Sequence, residues 1–149
     1  MRYNCRMPTA PPIHVGALTM TFHVDAEQSD GSLTVFEVDV PAGARVPAPH
    51  SHDAFEETIF GLRGTTRWTL DGSDVAIGAG ESICIRRGVV HGFVNDSGDD
   101  ATFLAIASPG VFGPDYFREI GAVLAASGGG PPDPAAVGDV MRRHGLTPA

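Results

Sequence analysis

From Leu18 the chain alternates, with Leu18, Met20, Phe22 and Val24 on one face of an extended segment and Thr19, Thr21 and His23 on the other. Successive side chains leave a strand on opposite faces, so this period of two predicts a half-buried strand with His23 on its solvated side. A polar turn over 27–31 leads to a second run, in which Phe36, Val38 and Val40 oppose Glu37 and Asp39. Strands this close in sequence pair antiparallel. After a proline- and glycine-rich bend over 41–49, residues 55–62 read as a further strand, with Gly61 and Gly64 marking a bulge and a turn. Thr66, Trp68 and Leu70 then alternate with Thr65, Arg67 and Thr69. Asp71-Gly72 follows as a hairpin signal, because both central residues of a type I′ turn need positive φ. Short strands continue around Val75 and Ile77, over 82–87, near His91 and over 101–108. Eight or more short strands with a turn every few residues predict an all-β sandwich or barrel.

The ends differ in character. Residues 1–12 carry three prolines and no periodicity, and read as an extended arm, either mobile or laid along a sheet edge. After Gly113-Pro114-Asp115, the residues Tyr116, Phe117, Ile120, Val123 and Leu124 recur at helical spacing. SGGGPP interrupts, and Asp133 then caps a shorter helix that opens on Pro134 and stops at Gly145. The expected organisation is an arm over 1–12, a barrel domain over 13–110 and a helical tail over 111–149. The two helices are expected to pack on the outside of the sheet or on a second subunit, with a lid over the barrel mouth as the alternative. His144, near a helix end, reads as a surface residue compatible with the helix dipole, and His14 has no partner the sequence can name.

Composition narrows the partners. The 149 residues suit one domain with an ordinary core. Net charge is −8 and every cationic side chain is arginine, so nucleic acid and anionic membrane are not expected partners. No apolar run reaches the length of a membrane span and no apolar signal core opens the chain. Cys5 and Cys84 are far apart and read as free thiols, which fits a cytoplasmic protein.

The chemistry-bearing residues gather between Pro41 and Asn95. His50 and His52 flank Ser51, so on a strand both rings leave one face, roughly 6–7 Å apart along the backbone. Glu57 follows a short polar turn and His91 arrives from farther along, just after Gly88. Three imidazoles and a carboxylate suit a borderline divalent ion such as Fe, Mn, Co, Ni, Cu or Zn.

The two segments also resemble the paired motifs of the cupin superfamily. GARVPAPHSHDAFEETIFGLRG, residues 43–64, is similar to the first motif, and GESICIRRGVVHGFVN, residues 80–95, to the second. His50, His52, Glu57, Gly64, Gly80, Gly88, His91 and Asn95 fall on motif positions. Six residues separate Gly43 from His50 where five are usual, and Arg86 stands in place of a proline. Glu56 would fit a shorter gap, but only Glu57 lies seven residues before Gly64. The resemblance implies a double-stranded β-helix, or jelly-roll barrel, whose lumen holds one divalent metal ion on His50, His52, Glu57 and His91. The tail sequence SPGVFGPDYFREIG loosely resembles single-domain bacterial cupins of the quercetin-dioxygenase-like kind.

What that site would do is an expectation. A six-coordinate ion with four protein ligands keeps two open positions, where it can act as Lewis acid and template. Glu57 has a lone pair to spare and would shuttle a proton. By parity Ile59 lies with Glu57, Phe93 with His91, and Trp68 on an inward stripe, so Ile59, Trp68 and Phe93 are the expected substrate pocket. Arg63 and Arg67 should face out. The expected function is a metal-dependent dioxygenase acting on a small aromatic, enolic or polyketide-like molecule. A binding or sensing cupin without turnover, or a non-redox isomerase or lyase, are the alternatives. Phe60 and Leu62 fall on the outer face, where an apolar surface wants a cover, and a homodimer is expected.

Overall fold

A computed structural model of the chain describes residues 9–149. Eleven strands and two helices follow in the order β1 (Ile13–Val15), β2 (Leu18–Val24), β3 (Thr34–Val40), β4 (His50–His52), β5 (Glu56–Arg63), β6 (Thr66–Leu70), β7 (Ser73–Ile77), β8 (Ser82–Ile85), β9 (His91–Val94), β10 (Ala101–Ser108), α1 (Pro114–Ala126), α2 (Pro134–Arg143) and β11 (Leu146–Pro148). They form one sheet in the order β1-β2-β3-β10-β5-β8 and another in the order β11-β4-β9-β6-β7. Every pairing is antiparallel. The fold is a double-stranded β-helix, all-β apart from the two short helices. Residues 9–12 are exposed and outside any strand; the rest of the expected arm, with Cys5, lies outside the described residues.

The alternation sets the two faces. Leu18, Met20 and Phe22 of β2, Phe36, Val38 and Val40 of β3, and Phe103, Ala105 and Ala107 of β10 are buried between the sheets with Trp68 of β6. Burying a large apolar side chain of this kind stabilises the fold by about 1.5–3 kcal/mol each. Asp71 and Gly72 have φ of 45° and 82°, as a type I′ hairpin between β6 and β7 requires. Where Gly61 and Arg63 face β10 the register shifts, placing a bulge in β5. Arg63 is exposed, and Arg67 points out to Asp74 and Asp96 at 3.0 and 2.8 Å.

The tail departs from expectation. Pro114 and Pro134 open the helices, and the Asp133 side chain accepts a hydrogen bond from the Ala135 N–H at 3.0 Å. But α1 does not lie on the outside of a sheet. Its buried face, Tyr116, Phe117 and Ile120, joins the aromatic interior: Phe117 stands 5.2 Å from Phe36 and 5.8 Å from Phe22. The helix therefore closes the mouth of the barrel. Gly121 permits the close seat, because a Cβ there would collide with the carbonyl oxygen of His14 on β1. The chain then returns as β11, an element the sequence pattern did not reveal, and pairs Leu146 with His52 and Pro148 with His50.

Two histidines gain partners. His14 Nδ1 lies 3.2 Å from the Thr19 hydroxyl, and His144 Nε2 lies 3.0 Å from Glu119. His23, half exposed, lies 3.3 Å from Glu37.

Candidate metal centre

β4 places His50 and His52 on the sheet next to His91, which it pairs with directly: His50 is the Cα partner of His91 across β4 and β9. All three residues are buried, and their ligand atoms lie within 4.8 Å of one another. Each ring is held from behind. The Nδ1–H groups donate to the carbonyls of Ala48, Phe55 and Val89, at 2.9, 3.0 and 2.9 Å for His50, His52 and His91. A carbonyl only accepts, so Nδ1 carries a proton and Nε2 faces the cluster, where in His52 and His91 it donates to Glu57 when protonated and offers a lone pair to an ion when not. Backbone carbonyls behind imidazoles fix tautomer and orientation in this way at metal sites. Phe55 also stacks on His52, with ring centroids 3.9 Å apart.

Glu57 enters from β5, in the other sheet. Its carboxylate lies 3.3 Å from His52 Nε2 and 3.5 Å from His91 Nε2. Glu56, one residue earlier, turns outward to Arg87 at 2.9 Å. Strand parity thus separates the two carboxylates. Burial lowers the His50 pKa to about 4, aided by the charge on His91. Burial alone would raise Glu57, but hydrogen bonds from His52 and His91 outweigh it and bring the carboxyl to about 2. Burial opposes a charge on His91 as well, yet the Glu57 carboxylate raises it overall. An anion and three inward nitrogens concentrate negative potential at one buried point. That donor set fits a divalent cation, and the three histidines could hold one.

The motif residues outside the cluster serve the frame. The Asn95 side chain is buried, donates to the carbonyls of Val40 and Asp99 at 2.8 and 2.7 Å, and accepts from Ser97. Arg86, in the proline position, is exposed, and the turn survives: Gly88 has φ of 77° and its N–H donates to the His52 carbonyl at 2.9 Å.

A cavity adjoins the cluster, with about 50 Å³ of space open to the centre of a water molecule. His50, Glu57 and His91 supply polar groups to its wall, and Trp68 and Phe93 also line it. Ile59 does not: it is fully buried in the core between Ala105 and Ile83, outside the lining. Parity gave its direction correctly, but packing around it leaves no free space. The sequence reading missed Phe112, Tyr116, Phe117 and Ile120, which also line the cavity. Their helical stripe was visible, but periodicity does not say which surface a stripe meets.

The cupin domain family matches residues 36–107. The matched segment is similar to a cupin domain, and the barrel has that fold. Among solved structures, KdgF from Halomonas sp. aligns with a TM-score of 0.60 at 18% identity, over 67% of this chain and 86% of its own. A predicted oxalate decarboxylase from Thermotoga maritima aligns with a TM-score of 0.59 at 25% identity, over 62% and 80%. A cupin-superfamily sugar phosphate isomerase from Silicibacter pomeroyi gives 0.56 at 20%, over 63% and 60%. No curated protein matches the sequence. No helix among the described residues is long and apolar enough to cross a membrane.

Proposed function

We propose that this protein is a metal-dependent enzyme, an oxidoreductase that oxygenates a small enolic or aromatic molecule with dioxygen. The observation that supports the reading is the junction of two environments: three carbonyl-backed imidazoles with Glu57 at one end of a cavity whose remaining wall is aromatic and aliphatic. The ion would be held by His50, His52, His91 and Glu57. A redox-active ion there supplies the one-electron chemistry that dioxygen needs to react with an enolate.

The chain's own residues contribute the rest. Trp68 and Phe93, with ring centroids 4.8 Å apart and planes tilted by 39°, offer an aromatic wall for a conjugated ligand. Glu57 reaches two of the three histidines, so its carboxylate lies where a docking ligand would shed its enol proton. Closure by α1 keeps bulk water away from the polar end. The cavity is small, which favours a β-diketone or a catechol over a tricyclic flavonol.

The non-redox isomerase or lyase reading draws on the isomerase and decarboxylase names among the structural neighbours. Against it, no arginine among the described residues lines the cavity to meet a phosphate or a second carboxylate. Oxygen uptake with the iron(II)-, nickel- and manganese-loaded protein, screened against acetylacetone and catechol, tests the proposal. Uptake that is lost in Glu57→Ala is expected. Ligand conversion without uptake would favour the isomerase or lyase, and ligand-induced stabilisation without conversion would favour a binding protein.

The quaternary reading is a homodimer that covers the outer face of the six-stranded sheet, where Phe60 and Leu62 are exposed.

A further inference from the structure

Tyr116 is an odd choice for the place it occupies. It is 3% exposed, on the face of α1 that closes the cavity. Its ring packs against Phe112 and Phe117, each with centroids 5.0 Å away. A phenylalanine would fill that space equally well. The hydroxyl makes no hydrogen bond among the described residues, although a polar group held in an apolar setting without a partner is destabilising. It is not sealed off either, because no fully buried side-chain oxygen or nitrogen among the described residues lacks a partner. The hydroxyl therefore reaches free space, in the cavity or in the surface cleft, both of which Tyr116 lines.

The rest of the cavity wall offers no competing group. Trp68 has the other polar hydrogen, and its indole N–H already donates to the Thr66 hydroxyl at 2.9 Å. Beyond His50, Glu57 and His91, the Tyr116 hydroxyl is the hydrogen-bonding side-chain group of this lining that is still unspent. Tyr116 also borders a surface cleft with Asp25, Val111 and His144, so its ring forms the partition between cavity and solvent. Burial, with the Glu57 charge added, raises the phenol above its ordinary range. At neutral pH it is a donor.

We propose that Tyr116 determines ligand specificity in this cavity, its hydroxyl donating a hydrogen bond to an oxygen anion of a small enolate or catecholate held at the histidine cluster. This rests on the metal-centre reading above. The ligand would then be fixed at two points: at the ion by His50, His52, Glu57 and His91, and at one of its oxygens by the phenol. The aromatic walls between them select a flat, conjugated body. A ligand with no oxygen acceptor gains nothing from Tyr116.

The test compares the cobalt(II)-loaded wild type with Tyr116→Phe, titrating each with 4-nitrocatechol and with pyridine and following the cobalt and nitrocatechol absorption bands. Cobalt stoichiometry is measured first, and circular dichroism confirms that the variant is folded. A hydrogen bond to a charged oxygen contributes enough that its loss should raise the nitrocatechol Kd by roughly tenfold or more. Pyridine, whose one nitrogen is spent on the ion, should bind both proteins alike. Equal nitrocatechol affinity in the two proteins overturns the proposal while leaving the metal reading intact. Parallel weakening of both probes also overturns it, since that marks a packing role alone. A wild type that takes up no cobalt defeats the metal reading, and this inference with it.

Discussion

His50 gives the metal-free protein a pH dependence that can be worked out in advance. Its pKa falls from the ordinary 6.5 to about 4 in the folded state, first through burial and then through the charge on His91. Between those values the unfolded chain binds a proton at this residue and the folded chain does not. Stability therefore rises with pH across the window, and is lost as pH falls from 6.5 towards 4. The gap corresponds to ~3 kcal/mol in full, of which about 2 kcal/mol is expressed between roughly pH 7 and pH 4.5. The neighbours do not obscure this. Glu57 is lowered to about 2, so its contribution is present above its ordinary 4.5 and lost only below it. His91 is raised, so its contribution is complete below 6.5 and is lost as pH climbs through its folded value. The assay is urea unfolding of chelator-treated protein at both pH values, for the wild type and His50→Gln. The wild type should lose about 2 kcal/mol more than the variant on acidification. Equal losses would refute the reasoning, because they would mean that His50 titrates normally in the fold.

Other consequences are as direct. Gly121→Val puts a side chain against the His14 carbonyl and should cost about 1–3 kcal/mol by lifting α1 from β1; a lower Tm with faster stripping of metal by chelator is expected, and an unchanged Tm contradicts the seat described for the helix. Leu146→Ala removes a buried residue of β11 paired with His52; it should destabilise by ~2–5 kcal/mol in urea unfolding and weaken cobalt binding, whereas wild-type cobalt affinity would show that β11 does not position β4. Sedimentation should show a dimer that Phe60→Asp with Leu62→Asp converts to monomer, and a monomeric wild type disposes of the homodimer.

The all-β architecture was legible because its causes are local. Alternation at Leu18–Val24 and Thr66–Leu70 fixes which side chains face inward, and Asp71-Gly72 fixes a hairpin register. The histidine cluster was legible for the same reason: two residues of one parity on β4, plus motif spacing that brought in Glu57 and His91. The seven-residue spacing to Gly64 told Glu57 from Glu56; parity gave the direction of Ile59 but carries no information on free volume, so Ile59 was placed in a pocket whose lining does not include it. The tail was the least readable part. Tyr116, Phe117 and Ile120 announce an amphipathic helix, while the surface they cover depends on the approach of Gly121 to β1, about a hundred residues earlier. The three-residue β11 is too short to show any period at all.

The most direct test of the metal centre is the metal content of untagged protein, beside a variant carrying His52→Ala and His91→Ala, each measured as purified and after reconstitution with iron(II), nickel, manganese, cobalt and zinc. The account predicts about one equivalent bound by the wild type and none by the variant. A wild type that holds no metal after reconstitution, or a variant that holds as much as the wild type, would contradict it.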